Sequence, residues 1–339
     1  MADTVLVTGG TGYVGGWCIV ELLKRGYSVR TTVRSLAKEK AVRAAISAMT
    51  DPGDRLEVVA ADLLNDAGWD AAVAGCTYVL HVASPLGSKS NPGDIVAAAK
   101  GGALRVLRAS VPAKVRRVVL TSSGAACCPP LNSPDSETDE TFWTDVKDKG
   151  LTPYRKSKAV AERAAWDFMK EQGAGGTLTT VLPSGVFGPV LTTEGLGSVG
   201  LVLRLLTGAM PGIPRLGFNV VDVRDLADAH IRAMLAPEAA GQRFIAAGEF
   251  LWMADVAKIL RNNLGARASK VPTRKLASIV LRLSALFDAG TRDIVPMLGH
   301  KHAYSSAKAQ RVLGWKPRPA TATIVDCAVS LIEKGAVRV

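Results

Sequence analysis

The feature that most constrains this chain lies at its start. A short β-branched run, Val5–Val7, passes into Thr8-Gly9-Gly10-Thr11-Gly12-Tyr13-Val14-Gly15 and then into a helical pattern ending near Gly26. Glycines 9, 12 and 15 thus stand between a strand and a helix. There, one glycine permits the tight turn, one lets the backbone approach a pyrophosphate, and one lets helix and strand pack closely. The helix N-terminus offers unpaired N–H groups and a partial positive charge to phosphate. The turn predicts a dinucleotide site built from Gly9, Thr11, Gly12, Tyr13, Val14 and Gly15.

The remainder of the N-terminal half agrees. Apolar runs at Val29–Val33, Leu56–Ala60, Tyr78–Ala83, Val118–Leu120 and Leu178–Leu182 alternate with segments whose apolar residues recur at helical spacing, such as Ile19, Leu22 and Leu23. Strands joined by helices pair in parallel and are covered on both faces. The expected fold is therefore α/β: a doubly wound parallel-sheet Rossmann domain, its crevice beyond the carboxyl ends of the strands. After Leu182, glycine and proline recur up to Gly217 and the alternation weakens. Residues 1–182 are expected to form the dinucleotide-binding domain, with 216–239 returning to it. Residues 183–215 and 240–339 are expected to form mainly a smaller substrate lobe, including the amphipathic stretches Trp252–Leu264 and Lys275–Phe287.

The second strand decides between coenzymes. A NAD site usually presents an acid to the ribose 2′-hydroxyl about 20 residues beyond the glycines. Here the strand ends Thr31-Thr32-Val33-Arg34, with a guanidinium and no carboxylate. Arg34 can hold a 2′-phosphate bidentately, and Lys38 stands four residues later to assist. NADPH/NADP+ is the expected cofactor. The fourth strand ends His81-Val82-Ala83-Ser84-Pro85, close enough for Ala83 and Ser84 to border it, and His81 is read as a packed residue.

A reactive constellation follows. Strand five ends Leu120-Thr121-Ser122-Ser123-Gly124, and a helix later opens with Thr152-Pro153-Tyr154-Arg155-Lys156-Ser157-Lys158. Thr152 suits the N-cap and Pro153 the first helical position. Tyr154 and Lys158, four apart, share one helical face. Carbonyl reduction needs a proton for the oxygen as hydride reaches the carbon. A tyrosine hydroxyl is a reluctant donor of that proton near neutrality, and a neighbouring ammonium favours its release. A hydroxyl at the end of strand five can orient the substrate oxygen; Thr121, Ser122 and Ser123 all qualify on position.

Composition narrows the alternatives. The 339 residues are 48% hydrophobic, enough for a large core. The formal charge of +12 comes from scattered Lys and Arg, with no basic run interleaved with aromatics. It reads as a solvated surface that favours an anionic cofactor, so no nucleic-acid partner is expected. The start of the chain lacks a basic region followed by a long apolar stretch, and the apolar run Ala277–Phe287 is broken by Arg282. Neither a signal peptide nor a membrane partner is expected. The odd count of five cysteines shows no metal-ligand spacing, which predicts reduced thiols, no metal and a cytoplasmic protein; a monomer or homodimer is expected.

With these motifs in place, the chain resembles the extended short-chain dehydrogenases/reductases, in particular the dihydroflavonol-reductase-like, cinnamoyl-CoA-reductase-like and aldehyde reductase group. The resemblance covers nearly the whole chain. It rests on the Gly-x-x-Gly-x-x-Gly spacing, His81–Pro85, Asp139-Glu140-Thr141-Phe142-Trp143, Leu182–Pro189, Val221–His230 and Ser306–Trp315. It implies Ser123, Tyr154 and Lys158 as the catalytic set. It also places Asp62 and Leu63 at the adenine, Thr121 at the cofactor, and Pro183, Ser184 and Val186 along the nicotinamide. The departures are as informative. Ser123-Gly124-Ala125-Ala126 lacks the acid and base of sugar-nucleotide dehydratases. Cys128 stands where plant dihydroflavonol reductases place an asparagine, and Leu151–Arg155 differs from the run of cinnamoyl-CoA reductases. Arg105 sits about where many short-chain reductases carry a relay asparagine.

The expected activity is NADPH-dependent reduction of a small hydrophobic or aromatic aldehyde or ketone. An epimerase or hydroxysteroid dehydrogenase on the same fold and a non-catalytic dinucleotide sensor are the alternatives. Val186, Phe187, Leu201, Leu205, Met210 and Phe218 are candidate walls of the substrate pocket.

Overall fold

In the computed structural model, residues 3–85, 92–285 and 294–337 are described. The end of the Lys275–Phe287 stretch lies outside them. The chain opens with β1 (Thr4–Val7), α1 (Tyr13–Lys24), β2 (Ser28–Val33), α2 (Glu39–Ser47), β3 (Leu56–Ala60), α3 (Trp69–Val73), β4 (Tyr78–His81), α4 (Pro92–Ser110) and β5 (Arg117–Thr121). A short strand β6 (Ser136–Thr138) precedes the long helix α5 (Pro153–Glu171), followed by β7 (Leu178–Pro183) and β8 (Gly185–Phe187). Beyond these come α6 (Val199–Leu206), β9 (Gly217–Asp222), α7 (Val223–Leu235), β10 (Arg243–Ala246), β11 (Phe250–Trp252), α8 (Met253–Leu264), α9 (Ser278–Ser284) and β12 (His302–Tyr304).

Seven strands form one parallel sheet in the order β10-β7-β5-β4-β1-β2-β3. The order reverses between β1 and β4, which puts the ligand crevice over their carboxyl ends. One face is covered by α1, α2 and α7, around Trp17, Ile19, Leu22, Val223 and Leu226; the other by α3, α4 and α5, around Trp69, Leu107 and Met169. The central strands read as continuous apolar runs because helices cover both faces.

The boundary between the lobes differs from the sequence expectation. α7 packs against α1, but β9, its preceding strand, pairs with β8 and β11 in a separate three-stranded sheet. The strand that completes the seven-stranded sheet is β10, which the sequence reading assigned to the substrate lobe. Its register sets Phe244 beside Val181 and Ile245 beside Leu182. A four-residue strand whose partner lies some sixty residues upstream leaves little local pattern. The helix Ala307–Leu313 and Trp315 also pack on the Rossmann side. The second core gathers α6, α8 and the last helix, Ala320–Glu333, around Phe187, Val202, Leu260 and Ile324.

Candidate active site

The glycine turn follows its backbone needs. Gly9 has φ +78°, a conformation that favours glycine. A Cβ on Gly15 would lie 2.5 Å from the Gly9 carbonyl oxygen, and one on Gly10 would lie 2.5 Å from Thr31 Oγ1. Gly10, not weighed in the sequence reading, is thus fixed by packing against β2. Helix α1 starts at Tyr13 after Gly12, with no side-chain cap and no acid in its first turn. Its first N–H groups are therefore left for a ligand. The Tyr13 hydroxyl itself donates to Gly188 O at 2.8 Å, which ties this side chain to the loop after β8. Burial pushes that phenol well above its usual value, with Cys327 and Asp222 adding to the effect. Val14 packs against the core.

Beside the turn, a cavity of about 100 Å³ is lined by Gly10, Thr11, Gly12, Lys38, Leu191 and Glu194, among others. Lys38 forms an exposed ion pair with Glu194 at 3.6 Å. Arg34 and Asp62 are not on its walls. Arg34 is exposed and makes no ion pair or hydrogen bond among the described residues. Asp62 accepts a hydrogen bond from Leu64 N at 3.0 Å. Arg105, at the position sought for a relay asparagine, is bound to Asp66 and to Leu63 O.

A second, smaller cavity of about 20 Å³ brings Leu63, Ala83, Ser84, Thr121 and Lys158 together with His81, Ser122 and Glu162. Its volume suits one water molecule. Lys158, only 9% exposed, donates to Ser84 Oγ at 3.2 Å. Thr8 Oγ1 accepts from the amides of Val82 and Ala83, so its own proton goes to His81 Nδ1 at 2.9 Å. Burial, reinforced by Lys158, lowers the pKa of His81 to about 3 and keeps the ring neutral. His81 is a structural acceptor here.

The three hydroxyls at the end of β5 differ in their commitments. Thr121 meets His230 Nε2 at 2.7 Å. Because His230 Nδ1 faces the Leu226 carbonyl at 2.8 Å, that nitrogen carries the proton and Thr121 is the donor. Ser122 is buried and donates to Glu162 Oε2 at 2.5 Å. Ser123, half-buried, caps the turn Gly124–Cys127 by accepting from Ala125 N at 3.1 Å. Its own O–H remains available to donate.

Helix α5 carries the rest. Thr152 Oγ1 accepts from Arg155 N at 3.4 Å as N-cap, and Pro153 occupies the first turn. Tyr154 is 42% exposed, and Lys158 Nζ lies 6.0 Å from its ring centroid. One turn beyond is Glu162, a buried carboxylate that the sequence reading did not single out. Its carboxylate accepts from Ser122, from Thr180 at 2.8 Å and from Arg243 Nε at 2.8 Å. The spacing 154, 158, 162 was a usable signal, since i, i+4 and i+8 share one helical face. Arg243 stacks on Trp143, 3.6 Å from its ring centroid, and donates to the carbonyls of Glu140 and Phe142.

At the far end of the crevice, Pro183 closes β7 and Val186 sits half-buried on β8. The buried Ser184 hydroxyl between them has no partner among the described residues. Of the apolar wall candidates, Phe187 and Leu205 are fully buried in the second core, with Phe218 stacked on Phe187 at 5.3 Å. All five cysteines are buried, unpaired thiols. Among the described residues, no helix is long and apolar enough to cross a membrane.

Comparison with known proteins identifies the family. The sequence pattern of the NAD dependent epimerase/dehydratase family matches residues 5–247. Cinnamoyl-CoA reductase 1 of Oryza sativa subsp. japonica is 39% identical over 260 residues, which is 76% of this chain and 75% of the relative. An anthocyanidin reductase ((2S)-flavan-3-ol-forming) of Vitis vinifera is 35% identical over 289 residues, 80% of this chain and 83% of the relative. Among solved structures, yeast methylglyoxal/isovaleraldehyde reductase Gre2 complexed with NADPH superposes with a TM-score of 0.81 at 26% identity. It covers 98% of this chain and 100% of its own. The chain belongs to the NAD dependent epimerase/dehydratase family, as an extended short-chain dehydrogenase/reductase.

Proposed function

We propose that this protein is an NADPH-dependent reductase of small hydrophobic or aromatic aldehydes and ketones. The observation that carries the reading is the shared face of α5, where the exposed Tyr154 ring has the Lys158 ammonium 6.0 Å from its centroid. The reductase relatives and the NADPH complex of the yeast enzyme support it.

The residues fit the coenzyme. The side-chain-free cradle at Gly9, Gly10, Gly12 and Gly15 would take the pyrophosphate, as the close Cβ contacts require glycine there. Arg34 would take the 2′-phosphate, with Lys38 in support once released from Glu194. Asp62, Leu63, Ala83, Ser84 and Thr121 would border the adenosine and ribose portions. Pro183, Val186 and the orphaned Ser184 hydroxyl would line the nicotinamide. Bound NADPH supplies hydride to the carbonyl carbon.

The chain's own groups handle the oxygen. Ser123 accepts from the Ala125 amide and directs its hydroxyl proton to the carbonyl oxygen, which orients the substrate. Tyr154 delivers its phenolic proton to that oxygen. Lys158, steadied by Ser84, holds a positive charge beside the ring as the phenol loses its proton.

The test follows NADPH oxidation with a panel of carbonyls. Tyr154→Phe removes only the hydroxyl, and turnover is expected to fall by about 10²–10⁴ with NADPH binding retained. Undiminished turnover in that variant would refute the mechanism.

A further inference from the structure

We propose that Arg155 anchors a carboxylate on the carbonyl substrate, an inference that rests on the reductase reading of the same site. Arg155 directly follows Tyr154 on α5. Its Nη1 donates to the Cys128 sulfur at 2.8 Å and its Nη2 to the Met297 sulfur at 3.5 Å. A guanidinium has five N–H donors, and a thiol and a thioether are weak acceptors for them. Among the described residues Arg155 pairs with no carboxylate, although Arg224, Arg243 and Arg318 each meet an Asp or Glu. This half-buried cation is held by sulfur alone.

Its position is at the reacting end of the site. Cys128 lies five residues beyond Ser123 on the same buried loop. The Tyr304 ring covers Gly124, so close that a Cβ there would lie 2.9 Å from it. The guanidinium therefore bridges the loop after Ser123, through Cys128, and the segment 297–304, through Met297.

That segment and the elements beside it, β11 and the residues before β9, carry further positive charge and aromatic rings. Lys301 Nζ lies 5.5 Å from the Phe250 ring centroid, and Arg215, whose carbonyl accepts from Gly299 N at 2.8 Å, lies 5.5 Å from that of Trp252. Neither forms an ion pair among the described residues. The planar fork of Arg155 matches a carboxylate in two parallel hydrogen bonds, which two sulfurs cannot offer. An aromatic body bearing a carboxylate satisfies both the rings and the cation.

The experiment compares 3- and 4-carboxybenzaldehyde with their methyl esters, which keep the shape and lose the charge. In the wild type, kcat/KM is expected to favour at least one acid over its ester by roughly ten- to a hundred-fold, the range of a charge-assisted hydrogen bond. Arg155→Met is expected to bring that ratio close to one, and Arg155→Lys to keep part of it. Calorimetric titration of NADPH-loaded protein with 3- and 4-(hydroxymethyl)benzoate, a pair with no hydride acceptor, should show the same ordering of the three proteins without any turnover. An acid-to-ester ratio near one in the wild type, or one unchanged in both variants, overturns the proposal. Failure to reduce any carbonyl would instead count against the reductase reading, and calorimetry would still decide the role of Arg155.

Discussion

Glu162 and Arg243, 81 residues apart in the chain, meet at 2.8 Å as a buried ion pair one helical turn beyond Lys158 on α5. The pair joins four elements. Glu162 belongs to α5, its partners Ser122 and Thr180 follow β5 and lie in β7, and Arg243 opens β10. Ser122 adjoins Ser123, so the carboxylate that fixes the helix also fixes the loop carrying Ser123, the hydroxyl proposed to orient the substrate.

Glu162→Leu should therefore cost about 3–5 kcal/mol, because it strands a buried guanidinium. Adding Arg243→Met should cost less than the sum of the two single changes. Denaturant unfolding of the four proteins checks this; strict additivity would show that the two groups do not act as a pair.

In the proposed reading coenzyme choice depends on Arg34, whose side chain is exposed and uncommitted among the described residues. Arg34→Asp places a negative charge where the 2′-phosphate is expected. NADPH affinity should fall roughly ten- to a hundred-fold more than NADH affinity, as read by fluorescence titration. Equal losses would mean that another group reads the phosphate.

The glycine turn makes a steric prediction. A methyl on Gly15 has nowhere to go, since it would stand 2.5 Å from a backbone oxygen. Gly15→Ala should destabilise the fold by about 1–3 kcal/mol and weaken NADPH binding in the same protein. Thermal unfolding with and without coenzyme separates the two effects.

Two buried histidines set an acid limit. Burial lowers the pKa of His81 to about 3 and that of His230 to about 4. Unfolded imidazole titrates near 6.5, so below that pH the unfolded chain takes up protons that the folded rings refuse. Stability should fall as pH drops from about 6.5 toward 4, by on the order of 1–2 kcal/mol per histidine at pH 5. His230→Gln should shallow that slope; a melting temperature flat from pH 7 to 4.5 in the wild type would contradict it.

Much of this molecule could be read before its coordinates. The glycine turn, the strands from β1 to β5 and the capped start of α5 are local patterns, each written within a few adjacent residues. What stayed hidden depends on contacts between distant segments. The strand β10 is recognisable only beside β7. Thr121, Ser122 and Ser123 looked alike in sequence and are separated by three different partners: His230, Glu162 and Ala125 N. Glu162 had a helical-spacing signal, whereas nothing in the order of residues joins Arg155 to Met297.

The placement of β10 bears on how the protein can be divided. Cutting after residue 182 would leave β7 as a raw sheet edge and Glu162 without its cation, so such a fragment should aggregate rather than bind nucleotide. On the ribosome, too, the coenzyme half would stay unfinished until residue 246 has emerged. The two lobes are in effect stitched together, and each waits for the other.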